Sequence, residues 1–417
     1  MDLREHATLI VDAAIMDAQP DFAVKKTLCN FTYPKNKLVL IAIGKAAWQM
    51  ANAAVSSLSQ DVHSGAVITK YEHSKGPLKN INVFEAGHPV LDQNALTATE
   101  YAISLVQNLS EDDTVLFLIS GGGSALFEKP FIDLEELKDI TKQMLSSGAS
   151  INEINIIRKR LSAVKAGRFA KMCMPACVYS IILSDVLGDK LDTIASGPAY
   201  PDSSTFEQVL GIVKKYNLVL SDNAMKYLRE ETPKQLSNVT TQVMGSVKQL
   251  CLSAKRKCEE LGYRPIILTS SLCCTARDAG SFFASIAKEY ASSSDTESLS
   301  IKPPLAFIAG GETVVKITGN GSGGRNQEIA LSYANEASGI NNAALISVGS
   351  DGTDGPTDAA GGFCDGNTKM VLEEMGINID FVLDNNDSYN ALKKCDGLVI
   401  TGPTGTNVND LTVLLIK

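Results

Sequence analysis

Glycine-rich turns that each carry a reactive side chain are the most informative feature of this sequence. The apolar run Val115–Ile119 is followed by Ser120, three glycines and Ser124. Such a run predicts a strand buried on both faces, and the glycines predict a sharp turn with an accessible backbone. A helix expected after the turn would direct amide groups and its dipole toward an anion. The predicted phosphate-binding residues are therefore Gly121, Gly122, Gly123 and Ser124, and a plain strand-to-helix turn is the alternative.

A lysine stands in a similar position near the start of the chain. Lys45 follows the apolar run Leu38–Ile43 by two residues and precedes a stretch with helical spacing. The carboxyl end of a buried strand is where α/β proteins bind ligands. A solvated lysine at the start of a helix is the alternative, but a cation there opposes the helix dipole. The position therefore favours a functional role for Lys45.

A glycine loop at 319–324 leads directly to Arg325. The guanidinium is a planar, permanently charged fork that can bind a carboxylate or a phosphate through two hydrogen bonds. The loop fits the GxGxxG pattern and lies between a predicted strand, Thr313–Thr318, and a predicted helix that begins at Arg325. No clear acidic residue follows at the distance expected of a ribose-binding fingerprint, so a dinucleotide site is only weakly indicated.

Aspartates after two further predicted strands are candidate magnesium ligands and proton acceptors. Asp185 follows the predicted strand 178–184, and Asp351 and Asp354 lie among glycines after the predicted strand 343–348. Mg²⁺ is commonly held by one or two carboxylates together with substrate phosphates, which fits this spacing better than a calcium cage. A turn-rich surface loop is the alternative. Three more polar residues beside glycines are candidate nucleotide contacts: Glu312, Thr404 and Asn407.

Composition excludes several classes of function. The chain has 417 residues, of which 44% are hydrophobic and 20% are charged, as in ordinary globular proteins. Its net charge of −9 argues against nucleic-acid or membrane-surface binding, because both need a basic face. No apolar stretch is long enough to span a membrane. The N-terminal residues do not resemble a signal or transit peptide.

The nine cysteines include no CxxC pair. An odd number without zinc-type spacing predicts reduced thiols in a reducing compartment. We therefore expect a cytoplasmic protein.

The elements that must position these residues follow an α/β pattern. A chain of this length predicts two domains, and the polar stretch 230–238 predicts a boundary between them. We place an N-terminal domain at residues 1–235 and a C-terminal domain at residues 236–417. A helix is predicted over residues 151–172, and its basic residues are interpreted mostly as a solvated face: Arg158, Lys159, Arg160, Lys165 and Arg168.

Strand ends share one edge in open α/β sheets, so residues that are distant in sequence can converge there. A lysine, an arginine, aspartates and amide-rich turns are the groups that phosphoryl transfer requires, because that chemistry depends on positioning and charge neutralisation.

Motifs along nearly the whole chain resemble those of a known family. They include Ile43–Ala47, Ala86–Pro89, Leu118–Leu126, Leu183–Asp189, Ile194–Pro198, Gly310–Thr313, Gly323–Glu328, Gly349–Gly355 and Thr404–Asp410. The chain resembles the class of glycerate 2-kinases whose C-terminal region is called MOFRL. One departure is Ala199, where the family usually has threonine after the Ala-Ser-Gly-Pro motif.

The resemblance implies a fold and a reaction. The fold is a Rossmann-like three-layer α/β domain with a mostly parallel sheet, a smaller C-terminal MOFRL α/β domain and an active site in the cleft between them. The reaction is phosphorylation of D-glycerate to 2-phosphoglycerate with ATP and Mg²⁺. The active-site lysine and arginine proposed for the family correspond to Lys45 and Arg325.

We hypothesise that the Gly121–Ser124 amides bind ATP phosphates and that Asp185 or Asp351 holds Mg²⁺. Arg325 binds the glycerate carboxylate or the moving phosphoryl group, Lys45 neutralises charge in the transition state, and Asp185, Asp351 or Asp354 accepts the hydroxyl proton. A homo-oligomer is possible.

Two other functions remain open at the level of the sequence. One is an NAD(P)-dependent hydroxypyruvate reductase, which the GxGxxG pattern favours. The other is a non-catalytic protein that binds sugar phosphates, although such a protein has little need of the dispersed acids.

Overall fold

The computed structural model describes residues 2–29, 31–32, 36–58, 62–184, 191–291 and 301–417. Its strands are β1 Leu38–Ile43, β2 Val62–Lys70, β3 Ile81–Ala86, β4 Thr114–Ile119, β5 Cys177–Leu183, β6 Val239–Met244, β7 Arg264–Leu272, β8 Leu305–Gly311, β9 Ala343–Gly349, β10 Gly361–Asp365, β11 Leu398–Val399 and β12 Asp410–Ile416. Its helices are α1 Leu3–Asp17, α2 Pro20–Leu28, α3 Ala47–Leu58, α4 Gln93–Val106, α5 Gly123–Leu126, α6 Leu134–Ser146, α7 Ile151–Arg160, α8 Arg168–Met172, α9 Phe206–Lys215, α10 Asp222–Arg229, α11 Val247–Glu260, α12 Ala276–Ala291, α13 Arg325–Glu336, α14 Thr368–Glu374, α15 Ile379–Asp384 and α16 Ser388–Lys394.

The chain forms two compact units. The N-terminal unit comprises residues 20–244, and the C-terminal unit comprises residues 245–417 together with residues 1–19. This division differs from the sequence-based boundary in two segments. Helix α1 packs on α11, where Asp17 accepts hydrogen bonds from Ser253 and Arg256. Residues 239–244 form the edge strand β6 of the first sheet rather than part of the second domain.

The N-terminal unit contains a six-stranded parallel sheet in the order β3-β2-β1-β4-β5-β6. Every residue of β1 and β4 is buried, which is why both strands are continuous apolar runs. The Rossmann-like fold predicted from the sequence is confirmed. The order of strands reverses between β1 and β4, and doubly wound sheets bind ligands outside the carboxyl ends of the strands at such a switch point.

The C-terminal unit contains a mixed six-stranded sheet in the order β11-β10-β9-β12-β8-β7. Strands β7 and β8 are parallel, whereas β12 runs antiparallel to both β8 and β9. The first residue of β12, Asp410, therefore lies opposite Gly311 and Gly349, the last residues of β8 and β9. At this edge of the sheet, the N-terminal end of β12 therefore lies between the C-terminal ends of β8 and β9.

Two predicted elements are wrong. The helix predicted over residues 151–172 is interrupted: α7 ends at Arg160, α8 begins at Arg168, and Ala166 and Gly167 before α8 adopt positive φ angles. The strand predicted at Thr313–Thr318 is irregular, and only Val314 forms a bridge, to Thr275. Its apolar residues do not form a strand because residues 316, 318 and 319 bond to the side chain of Asn386 instead of to a neighbouring strand.

Candidate functional site

Lys45 and the triple-glycine turn meet at the switch point of the first sheet. The Lys45 amide donates to the Gly121 carbonyl at 2.9 Å, and the Ala46 amide donates to Ser120 Oγ at 3.1 Å. A Cβ on Gly122, whose φ is +84°, would lie 3.2 Å from Lys45 Cγ and 3.0 Å from the His88 ring. The exposed Lys45 side chain and His88 therefore flank the Gly122 backbone.

The surroundings of His88 favour its neutral form. Partial burial lowers the pKa of its imidazole, and the positive charges of Lys45, Lys70 and His73 lower it further.

The helix that follows the glycines is shorter than the phosphate hypothesis requires. Helix α5 has only four residues, and the Gly123 amide is used within the turn as a donor to the Ser120 carbonyl. A single helical turn has little macrodipole, so the prediction that a helix dipole contributes to anion binding here is wrong. Any anion must instead be bound by the remaining backbone amides and Lys45.

A second turn packs against the triple-glycine turn. Ser124 Oγ and Ser196 Oγ are hydrogen-bonded at 2.8 Å, and a Cβ on Gly123 would approach Ala195 Cβ to 2.8 Å. Three successive residues of the second turn, Ala195, Ser196 and Gly197, have positive φ angles. Backbone strain of this kind is concentrated at functional sites.

A buried cation behind the triple-glycine turn was missed by the sequence analysis. Lys165 is fully buried, and its Nζ donates to the carbonyls of Ser124 and Phe127 at 2.8 and 2.9 Å. The same nitrogen lies 3.2 Å from the buried Glu128 carboxylate, and burial lowers the Lys165 pKa to about 8. Arg158 also donates to the Ser124 carbonyl. These contacts fix the end of α5.

Two more basic residues of α7 are buried, contrary to the prediction of a solvated face. Lys159 pairs with Asp192 at 3.2 Å and with Asp202 at 3.4 Å. Arg160 donates to three backbone carbonyls and to Glu231. Their charges are compensated by groups that are distant in sequence, so helical periodicity could not reveal their burial.

Arg325 in the C-terminal unit is bound on two sides by acids. Its Nε and Nη2 donate to the two Asp410 oxygens at 2.6 and 3.0 Å, and its Nη1 donates to Glu312 Oε1 at 2.9 Å. These acids raise the guanidinium pKa above its usual value, although burial opposes them. Burial also raises the Asp410 pKa to about 6, against the opposing effect of Arg325. Asp410 was not singled out from the sequence, although a charged first residue of an apolar strand is a signal that could have identified it.

Asp354 stabilises the start of helix α13. Its oxygens accept hydrogen bonds from the Asn326 and Gln327 amides at 3.2 and 2.9 Å, so the carboxylate caps α13. The side chain is buried, and burial raises its pKa. Because both oxygens are engaged at the helix start, Asp354 has little capacity for a metal ion.

Asp351 lies beside the loop that contains Thr404 and Asn407, the two predicted nucleotide contacts. Asp351 Oδ1 accepts from the Thr353 amide and hydroxyl at 3.0 and 3.1 Å. The Thr404 amide donates to the Asp351 carbonyl, and the Thr404 hydroxyl donates to the Ser350 carbonyl. Asn407 Oδ1 accepts from the Asn409 amide. The Thr404 hydroxyl and the Asn407 side-chain oxygen therefore form hydrogen bonds that stabilise this loop.

A cavity of about 550 Å³ lies within the C-terminal unit. Arg325, Asp351 and Asp354 contribute to its wall, and Glu312 is linked to it through Arg325. Asp185 lies outside the described residues. Within the described ranges, no three histidine, cysteine or acidic side chains are grouped as a metal site.

The GxGxxG glycines are explained by close packing. A Cβ on Gly319 or Gly321 would lie 2.5 Å or less from residues 385–387, and one on Gly324 would lie 2.2 Å from the Asp354 carboxyl carbon. The loop is not preceded by a strand, as the dinucleotide fingerprint requires. No helix in the described part of the chain is long and apolar enough to cross a membrane.

Comparison with known proteins decides the family. A domain of unknown function, DUF4147, matches residues 6–229, and the MOFRL family matches residues 305–410. D-glycerate 2-kinase from Thermotoga maritima is 51% identical over 99% of this chain and 98% of its own length. The chain belongs to the MOFRL-containing glycerate 2-kinase family.

A solved structure and two further relatives match the chain over nearly its full length. The crystal structure of the Thermotoga maritima glycerate kinase superposes with a TM-score of 0.93, covering 100% of this chain and 99% of that one. Glycerate 2-kinase from Pyrococcus horikoshii is 41% identical over 100% of this chain and 98% of its own length. A relative from Agrobacterium vitis, named provisionally as a hydroxypyruvate reductase, is 36% identical over 98% of this chain and 93% of its own length.

Proposed function

We propose that this protein transfers a phosphoryl group from ATP to the 2-hydroxyl of D-glycerate, giving 2-phospho-D-glycerate and ADP. The observation that carries the proposal is the full-length match at 51% identity to D-glycerate 2-kinase of Thermotoga maritima. Both units contain charged groups on ordered loops at the ends of strands, as phosphoryl transfer requires.

In the N-terminal unit, Lys45 and the Gly121–Ser124 backbone serve the transferring group. The amides that the turn does not use bind phosphate oxygens, and the Lys45 ammonium stabilises the charge that develops on them. Lys165 and Arg158 hold the Ser124 carbonyl, so the turn is ordered before substrate binds. An ordered donor set loses little free energy to reorganisation during the reaction.

In the C-terminal unit, Arg325 binds the glycerate carboxylate or the moving phosphoryl group. Asp410 and Glu312 orient its guanidinium, so the substrate meets a cation whose orientation is already fixed. Asp351 is our first choice for a magnesium ligand, because its carboxylate lies in the cavity wall and does not cap a helix. Asp185 is then our candidate for the group that accepts the hydroxyl proton, and Thr404 and Asn407 keep a proposed role in nucleotide binding.

The residues present suit Mg²⁺. Asp351 and Glu312 are carboxylates near Arg325, and one or two carboxylates with substrate phosphates are a common magnesium environment. Bound Mg²⁺ would neutralise charge on the phosphates. We also propose a cytoplasmic location, which the nine free cysteines support.

A coupled assay tests the reaction directly. Purified protein is incubated with D-glycerate, Mg-ATP and enolase, without phosphoglycerate mutase. Enolase consumes 2-phosphoglycerate, so formation of phosphoenolpyruvate reports both activity and the position that is phosphorylated. ADP formation without phosphoenolpyruvate would contradict phosphorylation at the 2-hydroxyl.

Two substitutions test the assigned cations. Lys45→Ala and Arg325→Ala should each lower turnover by about a hundredfold or more, since each removes a charge that stabilises the transition state. Near-normal turnover in either variant would refute the role of that residue. Lys37→Ala is a matched control, because this lysine lies at the opposite end of β1 from Lys45.

A hydroxypyruvate reductase is the second candidate, favoured by the provisional name of the Agrobacterium vitis relative. Oxidation of NADH or NADPH with hydroxypyruvate, without use of ATP, would establish it. The packing role of Gly319, Gly321 and Gly324 removes the sequence feature that favoured a nicotinamide site.

A further inference from the structure

Part of the wall of the cavity in the C-terminal unit is apolar and does not belong to the hydrophobic core. The side chains of Val314 and Ile317 line the cavity and are 56% and 81% exposed. Pro356 lines it as well. Exposed apolar residues that are grouped around a concavity are typical of ligand sites.

This wall is held in place although it is not part of a strand. The Val314 amide donates to the Cys274 carbonyl at 3.1 Å, and its carbonyl accepts from the Ala276 amide at 2.9 Å. Asn386 accepts from the Thr318 and Gly319 amides at 2.7 and 2.9 Å and donates to the Lys316 carbonyl at 3.1 Å. The backbone is fixed at both ends while the apolar side chains remain uncovered. A preformed apolar surface of this kind binds a rigid, flat group at low entropic cost.

Polar and mainly acidic residues line the rest of the cavity. Arg325 is already paired with Asp410 and Glu312, and Asp354 already caps the start of α13. A free polyphosphate would meet a wall whose positive charges are compensated and which also contains Asp351. A phosphate chain is attracted there only together with a divalent cation.

The size of the cavity separates the two substrates of the proposed reaction. About 550 Å³ falls within the range of roughly 300–1,000 Å³ that is usual for drug-sized ligands, and it greatly exceeds the needs of a three-carbon acid. A three-carbon hydroxy acid also has no flat apolar surface to place on Val314 and Ile317.

We propose that this cavity is the nucleoside subsite, in which Val314, Ile317 and Pro356 contact the base of a magnesium-bound adenine nucleotide and the phosphate end faces Arg325 and Asp351. The inference rests on the proposed kinase function, because that function supplies the nucleotide. It concerns the nucleoside and does not depend on which residues contact the γ-phosphoryl group.

The test is calorimetric binding of Mg-ADP, together with steady-state kinetics, for the double variant Val314→Ala/Ile317→Ala. Both side chains are exposed, so their truncation leaves the core intact. Lost apolar contact should raise the Kd for Mg-ADP and the KM for ATP by at least about tenfold, while the KM for D-glycerate changes less than about twofold. Met375→Ala is the matched control, since Met375 is an apolar residue of the same unit, 53% exposed and outside the cavity wall. It should bind Mg-ADP like the unmodified protein.

The outcomes separate this inference from the proposed function. Unchanged Mg-ADP affinity in the double variant, or a raised KM for D-glycerate alone, would overturn the nucleoside subsite even if the kinase activity is present. If the unmodified protein binds Mg-ADP but phosphorylates no D-glycerate, the proposed function fails, and the loss of binding in the double variant still supports the subsite. ADP that binds equally well in excess EDTA would contradict the role of the cation.

Discussion

The Arg325 guanidinium and the Asp410 carboxylate form a two-point ion pair, with Nε–Oδ2 and Nη2–Oδ1 distances of 2.6 and 3.0 Å. The pair joins the first residue of α13 to the first residue of β12, which are 85 positions apart in the chain. Asp410 is buried and Arg325 is half-buried, so the acid fixes a guanidinium that still faces the cavity. This relationship explains how one glycine loop can present a cation in a fixed orientation.

The first prediction concerns the acid of this pair. Asp410→Asn should lower kcat/KM by about ten- to a hundredfold, because Arg325 loses a charged, two-point partner and keeps only Glu312. The double variant Asp410→Asn/Arg325→Ala should have a kcat/KM little lower than that of Arg325→Ala alone, since both changes disrupt the same ion pair. Steady-state kinetics of the three variants measures this, and fully multiplicative losses would show that the two residues act independently.

The second prediction is an acid limb in the pH–rate profile. The Asp410 pKa is raised from 3.8 to about 6 by burial, so its carboxyl group becomes protonated as the pH falls through 6. Protonation removes the charged acceptor of Arg325, and kcat/KM should fall below about pH 6. The residual activity of Asp410→Asn should lack this limb, and an unchanged limb in that variant would assign it to another group.

The same shift has a consequence for stability with the opposite sign. A carboxyl group whose pKa is higher in the folded state binds more protons there than in the unfolded chain. Its contribution to the free energy of unfolding is therefore fully present below pH 3.8 and is lost as the pH rises through about 6. Activity should increase over the pH range in which this contribution to stability decreases.

The third prediction contrasts two aspartates of one loop. Asp354→Ala should lower the free energy of unfolding by about 1–2 kcal/mol, because the Asn326 and Gln327 amides lose their cap. Asp351→Asn should leave stability within about 0.5 kcal/mol, since an amide oxygen can still accept from Thr353. Chemical denaturation measures both. Asp351→Asn should instead weaken the dependence of activity on Mg²⁺, and an unaltered metal dependence would exclude Asp351 as a ligand.

The fourth prediction concerns the triple-glycine turn. Gly122→Ala places a Cβ at φ +84°, 3.0 Å from His88 and 3.2 Å from Lys45, so it should displace both side chains. We expect a loss of about 1–2 kcal/mol in the free energy of unfolding and about a tenfold or larger loss in kcat/KM. Gly148→Ala is the control, because Gly148 has φ +72° and no neighbour within 4 Å of the added carbon. The control should be destabilised while its kinetics stay normal, and equal kinetics in the two variants would exclude a role for the turn.

Local pattern was sufficient for much of the N-terminal unit. The apolar runs at β1 and β4 predict strands buried on both faces, and Lys45 and the glycines follow them directly. Parallel strands place such residues on one edge, and the pairing of β1 with β4 brings Lys45 into contact with Gly121. The length of α5 could not be predicted, because the helix ends where Lys165 and the Ile194–Ser196 turn meet it.

Antiparallel pairing limited the prediction in the C-terminal unit. Asp410 begins its strand, so a search of strand ends does not find it, and only the reversed direction of β12 brings it to Gly311 and Gly349. Asp351 and Asp354 are nearly adjacent in sequence and both line the cavity, yet the Asp351 carboxylate accepts hydrogen bonds from its own loop whereas Asp354 caps helix α13.

The sequence by itself determined the α/β class, the family and the residue types available for phosphoryl transfer, because these depend on periodicity and on short motifs. The tertiary structure alone decided which charges are compensated. Arg325, Lys159 and Lys165 all pair with acids far away in the chain, and pairing depends on where each backbone segment packs rather than on local spacing. Each charged group can offer a substrate only the charge that its ion-pair partners leave uncompensated.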